Sequence, residues 1–116
     1  MVATKQKTYK VLNSWDGASG THLQGYVDCS YSLLVDLFGQ PMIGGDKTNA
    51  KWTVKTSDGV VITIYDWKSE IDPIHNTDWH IGGFSDKAVD ALYEIISNKY
   101  EDRAQYIARF RKLNFF

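Results

Sequence analysis

Cysteine, proline and long apolar runs are scarce in this sequence. Its one cysteine, Cys29, excludes an internal disulfide and is typical of a reducing compartment. No apolar run approaches the roughly 18 residues of a membrane-spanning helix, and the opening MVATKQK has no apolar segment typical of a secretory leader. A net charge of −1 lacks the basic excess of most domains that bind nucleic-acid polymers. We therefore expect a cytoplasmic protein whose partners are neither membranes nor nucleic-acid polymers.

Aromatic residues, by contrast, are abundant. The 116 residues include four Trp, seven Tyr and five Phe, and 43% of the chain is hydrophobic, which is typical of a globular protein. The two prolines form no proline-rich linker, so we predict a single α+β ligand-binding domain over 1–116. One small core does not readily hide so many rings, and two of them end the chain in the segment NFF. We therefore expect a homo-oligomer, a dimer or higher.

Hydrophobic periodicity predicts the secondary structure of the first half of the chain. Residues 7–13 and 22–29 read as strands separated by the loop WDGASG. Ser30 is expected to cap a short helix, SYSLLVDLF, which Gly39 and the proline after it end.

Two helical patterns follow near the C-terminus. The first, DKAVDALYEIIS, comes after the short strand WHIGG, and the second covers about residues 100–113 and is expected to be available for oligomer contacts. Arg103 falls on the apolar stripe of the second pattern, so we expect it to be buried and paired. The fold class predicted is α+β, with a mainly antiparallel four- or five-stranded sheet packed with a short helix and two C-terminal helices.

The segment AKWTVKTSDGVVITIYDWK predicts a hairpin whose register depends on its loop. A two-residue turn would mix polar and apolar side chains on both faces, whereas a three-residue loop, residues 57–59, pairs Trp52 with Ile64 and Val54 with Ile62. We therefore predict the longer loop. A helix, another subunit, or a ligand with a flat ring and phosphates would suit the second face. That face carries Lys51, Thr53, Lys55, Val61, Thr63, Tyr65 and Trp67.

The segment DWHIGGF, residues 78–84, has two interpretations. Gly82 and Gly83 precede a helix start, where backbone N–H groups attract anions, but the same pair is also typical of a tight turn from strand to helix. Phe84 is suited either to stacking on a base or to a hydrophobic contact with the helix near Val89.

Other aromatic and arginine side chains also have two interpretations each. Tyr65, Trp67 and Trp79 form either a stacking platform or part of the core. Arg109 and Arg111 suit either phosphate and carboxylate binding or ion pairs between subunits and at helix ends.

Catalytic and metal chemistry find little support in the sequence. His75, Asp78 and His80, together with Asp72, match no standard zinc spacing. His80 with Asp66 would make an acid–base pair, but a histidine beside a tryptophan in a strand is more often structural. We expect a protein that is not an enzyme, with no catalytic residues, no metal and no cofactor.

The series GYVDCSYSLLVDLFGQP, GGDK, DGVVITIYDWK and DWHIGGFSDKAVDAL, within residues 22–96, resembles a recurrent family of small phage-encoded proteins. Among these the chain is similar to the Thoeris anti-defence sponges, which sequester cyclic nucleotide signals. The resemblance implies an oligomer in the host cytoplasm, with pockets between protomers where a ring and a guanidinium sandwich a purine. Phe84 would be the matching ring, and Arg109 or Arg111 the guanidinium.

The function predicted is non-catalytic sequestration of a cyclic nucleotide immune signal, either a cyclic ADP-ribose isomer or a cyclic oligonucleotide. The alternative is a phage inhibitor that contacts a host defence protein directly, such as a nuclease or a CRISPR effector. The predicted ligand-binding residues are Tyr65, Trp67, Trp79, His80, Gly82, Gly83, Phe84, Arg103, Arg109 and Arg111.

Overall fold

The computed structural model of the chain describes residues 8–13, 18–44 and 47–113. Within these ranges, seven strands form one antiparallel sheet. The strands are β1 (Tyr9–Leu12), β2 (His22–Cys29), β3 (Met42–Ile43), β4 (Ala50–Thr56), β5 (Val61–Tyr65), β6 (Asp78–Gly83) and β7 (Ala108–Lys112). The helices are α1 (Tyr31–Phe38), α2 (Lys87–Tyr100) and a single turn, α3 (Ala104–Ile107), with 3-10 turns at Pro73–His75 and Glu101–Arg103.

The order of strands across the sheet is β1, β4, β5, β6, β2, β7, and β3 lies beside β4 on the same edge as β1. The α+β class and the antiparallel sheet are confirmed. The predicted count of four or five strands is wrong, because the sheet also contains two short edge strands, β3 and β7. The sequence pattern identified neither the two-residue β3 nor β7.

The hairpin of β4 and β5 has the predicted register. Trp52 lies opposite Ile64 and Val54 opposite Ile62, and Gly59 in the loop has a φ of 91°. A left-handed conformation at this position is what a three-residue hairpin loop requires. The cap at Ser30 is also confirmed, since its hydroxyl accepts a hydrogen bond of 3.1 Å from the Leu33 N–H.

Both longer helices pack on one face of the sheet and enclose the core there. Two indoles, Trp52 and Trp79, lie edge to face at the centre, and each donates its N–H to a backbone carbonyl, of Gly39 and Cys29 respectively. Around them the core holds Val27, Leu33, Leu34, Leu37, Phe38, Val54, Ile62, Ile64, Ile81, Val89, Leu92, Ile95 and Ile96. The helix-covered face is therefore the apolar one, and the opposite face carries no helix within the described ranges.

The second predicted C-terminal helix, about 100–113, is wrong. Helix α2 ends before Glu101, whose φ is 52°, and after one helical turn the chain runs as β7 beside β2. The segment ARFRK alternates its side chains between the two faces of the sheet, and short apolar patterns fit both the helical and the strand period. Pairing with β2 over five residues decides between them.

The same correction changes the expected environment of Arg103. Because no long helix forms there, the apolar stripe on which it was placed does not exist, and Arg103 is exposed with its guanidinium 5.7 Å from the Tyr100 ring. The expectation that Arg103 is buried is therefore wrong. The two phenylalanines of NFF, proposed for oligomer contacts, lie outside the described residues.

Candidate ligand-binding face

The face of the sheet that no described helix covers carries a continuous line of ring and cationic side chains. The register places Arg111 of β7 beside Tyr26 of β2, Tyr26 beside His80 of β6, and His80 beside Tyr65 of β5. Lys51 of β4 follows, opposite Tyr65. Five adjacent strands thus contribute one residue each, and at about 4.8 Å between strands the backbone positions of Arg111 and Lys51 are roughly 19 Å apart.

The rings of this line are in contact. The His80 imidazole lies 5.1 Å from the Tyr26 ring and 5.4 Å from the Tyr65 ring, centroid to centroid. Trp67, two residues beyond Tyr65, joins them with its indole 6.4 Å from the imidazole and 25° from parallel to it. We call Tyr26, Tyr65, Trp67 and His80 the aromatic row.

Cations lie at both ends of the aromatic row. The Arg111 guanidinium carbon is 4.6 Å from the centre of the Tyr26 ring, a close cation–π contact. At the other end, the ammonium groups of Lys47 and Lys68 lie 5.6 and 5.9 Å from the Trp67 ring. Trp67 is 45% exposed, so it remains accessible between the two lysines.

A buried carboxylate positions the end of the row at Trp67. Asp66 points away from solvent, and one of its oxygens accepts hydrogen bonds from the backbone N–H groups of Asn49 and Ala50, at 2.7 and 3.1 Å. These bonds tie the segment after β5 to the start of β4. Because Asp66 is fixed, its neighbours Tyr65 and Trp67 are held on the opposite, uncovered face.

Burial sets the charge state of the centre of the row. It lowers the pKa of His80 below its ordinary value, and the nearby carboxylates of Asp78 and Asp66 oppose that shift only in part. Burial also raises the pKa of Tyr65, with a further contribution from Tyr26. The imidazole and the phenol are therefore neutral at pH 7, and the positive charge is concentrated at the ends of the row.

A second line of side chains runs beside the first. Asp28 of β2 lies between Asp78 of β6 and Arg109 of β7. The two C-terminal arginines therefore differ in surroundings: Arg109 is beside a carboxylate, whereas Arg111 stacks on a ring. The sequence leaves open which of the two suits a planar ligand, and among the described residues Arg111 has an aromatic neighbour at cation–π distance whereas Arg109 has none.

The structure brings together Tyr65, Trp67, His80 and Arg111 of the predicted ligand-binding residues, and leaves others apart. Trp79 is fully buried in the core on the opposite face. Phe84 is 60% exposed and borders a depression of about 200 Å³ with Asp58 and Lys87, apart from the two arginines of β7. Arg103 lies with Tyr100 beyond α2.

Gly82 and Gly83 are extended residues of β6, paired with Leu23 and His22 of β2. The strand ends at Gly83, and residues 84–86 make the turn into α2, so neither glycine lies within the turn itself. A side chain at Gly83 would collide with Ala88 at the start of α2. Close packing therefore accounts for this glycine.

Three residues of the site did not emerge from the sequence: Tyr26, Lys47 and Lys68. Tyr26 does have a local signal, because it alternates with the buried Val27 in a predicted strand. Its neighbours on both sides, however, come from β6 and β7, far along the chain. Only the order of the strands reveals that it belongs to the row.

Within residues 8–13, 18–44 and 47–113, no three His, Cys, Asp or Glu side chains converge on one point. In the same ranges no helix has both the length and the apolar character needed to cross a bilayer. Comparison of the chain with protein-family models, curated proteins and solved structures gave no match. The resemblance to the anti-defence sponges therefore stays a prediction.

Proposed function

We propose that the protein binds a small anionic ligand that contains a flat heteroaromatic ring, and that it does so on the aromatic row without changing the ligand chemically. The observation that carries this proposal is the stacking of Arg111 on Tyr26 in line with His80 and Trp67. Nucleotide ligands need ring faces for the base and a guanidinium or ammonium group for the phosphate. The row offers both within one surface.

The specific ligand we propose is a cyclic nucleotide signal, a cyclic ADP-ribose isomer or a cyclic oligonucleotide, and the biological role is its sequestration during phage infection. The similarity of residues 22–96 to the sponges supports the identity of the ligand, and the row supports its chemistry. The state of Asp66 supports binding without catalysis. One of its carboxylate oxygens accepts hydrogen bonds from two backbone N–H groups, and within the described ranges no hydrogen bond joins Asp66 to His80, as an acid–base pair would need.

The mode of stacking differs from the simplest sandwich. Arg111 already touches Tyr26 at 4.6 Å, whereas a base inserted between two planes needs a separation of roughly 7 Å. We therefore propose that the base stacks on the exposed indole of Trp67, with Arg111 and the lysines holding phosphates. A sandwich of Phe84 with an arginine requires a second protomer, and light scattering at micromolar concentration tests that requirement, since a monomer excludes it.

Calorimetric titration of a cyclic ADP-ribose isomer and a cyclic dinucleotide tests the proposal. Trp67→Ala should weaken binding by about 5- to 150-fold, which corresponds to the roughly 1 to 3 kcal/mol of base stacking on an aromatic ring. Arg111→Lys should also weaken binding, because the lysine ammonium keeps the charge but lacks the planar guanidinium that binds a phosphate through two N–H groups. Arg103→Lys is the matched control, because Arg103 also stacks on a tyrosine but lies away from the row.

Two results contradict the proposal. Equal affinity of the wild type, Trp67→Ala and Arg111→Lys would remove the row as the binding surface. Mass spectrometry after incubation should recover the nucleotide intact, and a hydrolysed product would show an enzyme instead. If the wild type binds neither nucleotide, the uncovered face is better explained as the contact surface of an inhibitor of a host protein.

A further inference from the structure

Strand β7 forms one end of the sheet, and its outer edge is paired with no strand in the described part of the chain. The Leu113 N–H points inward, donating to the Gln24 carbonyl at 2.9 Å. Because the backbone groups of successive strand residues alternate in direction, those of Phe110 and Lys112 point outward. Ala108, the next residue in this series, already donates its N–H to Ala104. Phe110 and Lys112 therefore present backbone donors and acceptors at this edge that no strand of the described ranges uses.

The two faces beside this edge have different chemistry. On the uncovered face, Arg109 and Arg111 alternate with the outward-pointing residues, and neither forms an ion pair within residues 8–13, 18–44 and 47–113. On the helix-covered face, Phe110 packs edge to face against Tyr93, with 5.5 Å between ring centroids, and Tyr93 is 54% exposed.

The charge of Lys112, the remaining cation of the strand, is already compensated. Its ammonium lies 3.0 Å from a carboxylate oxygen of Asp90 and 3.8 Å from one of Asp86, both at the start of α2. The helix-covered side of the edge is therefore aromatic without excess positive charge, whereas on the uncovered side two guanidinium groups form no ion pair within the described ranges, with Arg109 beside Asp28 and Arg111 stacked on Tyr26. An added strand would meet a cationic surface on one face and an apolar surface on the other.

A second copy of β7 does not suit this edge. In a continuous antiparallel pairing centred on Phe110, Arg109 of each copy would lie opposite Arg111 of the other, and like charges directly opposite each other are destabilising. Cationic side chains at an exposed edge are a common device against self-pairing. The edge is thus protected from its own copies but complementary to a strand of opposite charge.

We propose that the outer edge of β7 binds an extended segment of a partner protein in which acidic residues alternate with apolar ones. The segment adds a strand to the sheet through the backbone groups of Phe110 and Lys112. Its acidic side chains lie beside Arg109 and Arg111, and its apolar side chains lie against Phe110 and Tyr93. This mode of recognition takes affinity from the main chain and specificity from alternate side chains.

The test uses a blocked synthetic peptide that alternates glutamate and valine over the length of β7, with binding measured by calorimetry and amide exchange by NMR. We expect binding to slow exchange of the Phe110 and Lys112 amides and to leave the Arg109 and Arg111 amides, which face β2, unchanged. A peptide of the same composition in scrambled order and one with N-methylated alternate amides are the controls. Equal binding of the scrambled peptide would reduce the effect to charge attraction, and equal binding of the methylated peptide would exclude strand addition; either overturns the proposal.

A charge-reversal pair tests the side-chain part of the proposal. Arg109→Ala should weaken binding of the glutamate peptide by about two- to fivefold, as expected for one cross-strand charge pair. Arg109→Glu with Arg111→Glu should lose that peptide and instead bind one that alternates lysine and valine. If the reversed protein folds but binds neither peptide, or still prefers the glutamate peptide, the proposal is wrong. If the reversed protein does not fold, the amide exchange of the wild type decides whether the peptide adds a strand at this edge.

Trp67→Ala distinguishes this edge from the stacking end of the nucleotide site, with Arg111 belonging to both. Trp67 lies at the far end of the aromatic row, next to Lys47 and Lys68. The substitution should therefore weaken nucleotide binding while leaving peptide affinity unchanged. Loss of both activities in a folded Trp67→Ala protein would contradict a separate edge site.

Discussion

Replacing Gly83 by alanine should destabilise the fold, because β6 and α2 meet there without room for a side chain. A Cβ at Gly83 would lie 2.5 Å from the Ala88 Cβ and 3.0 Å from the Val61 carbonyl oxygen. The first neighbour is fixed to the first turn of a helix and the second belongs to a central strand, so neither can rotate away. Overpacking of this kind costs about 1 to 3 kcal/mol. For a domain of this size that corresponds to a fall in Tm of roughly 5 to 15 °C.

Thermal unfolding followed by circular dichroism measures this fall, with Phe84→Ala as the control. Phe84 is the next residue but is 60% exposed, so its truncation should lower Tm less. Ala88→Gly, which removes the colliding carbon, should cost less in the Gly83→Ala protein than in the wild type. Ligand binding assayed well below Tm should survive Gly83→Ala. An unchanged Tm together with lost binding would refute the packing argument and restore the anion-site interpretation of this glycine.

Two further predictions concern the uncovered face. Gly82→Ala should lower the free energy of unfolding by about 1 to 3 kcal/mol, because its Cβ would overlap the Thr63 hydroxyl. In a double-mutant cycle measured by urea unfolding, Thr63→Ala should recover part of that loss. Additive losses would contradict the overlap. Since burial lowers the pKa of His80, the unfolded chain binds a proton more readily than the folded one, and this residue should lower stability as pH falls below 6.5 toward the folded pKa. Urea unfolding at pH 7.5 and 5.5 should therefore show a smaller loss for His80→Asn than for the wild type, and an equal loss would contradict the assigned shift.

The parts of the fold that sequence reasoning predicted are those that depend on local rules. The hairpin register follows from one glycine in the loop and from the match of Trp52 to Ile64. The start of α1 follows from one capping hydroxyl, at Ser30. In each case the residues that determine the geometry lie close together in the sequence, so the pattern contains the necessary information.

The candidate site required information that the local pattern lacks. Tyr65 and Trp67 were recognised on a basic and aromatic face, but Tyr26 and Arg111 join them only because β2 lies between β6 and β7. That order rests on contacts between residues fifty or more positions apart, such as the Trp79 indole bonded to the Cys29 carbonyl. The strand β7 was missed for the same reason, since its short apolar pattern becomes a strand only through pairing with β2.

The division of the sheet into two faces gives the strongest physical argument for a binding role. An antiparallel sheet with helices on one side commonly presents polar residues on the other. Here Tyr26, Tyr65 and Trp67 lie on the uncovered side, and a buried carboxylate, Asp66, helps to hold two of them there. Burying a carboxylate is unfavourable unless hydrogen bonds compensate it, and the second oxygen of Asp66 has no hydrogen-bond partner within the described ranges. Flat rings placed between cations suit contact with a planar anionic ligand, which is the binding role that we propose.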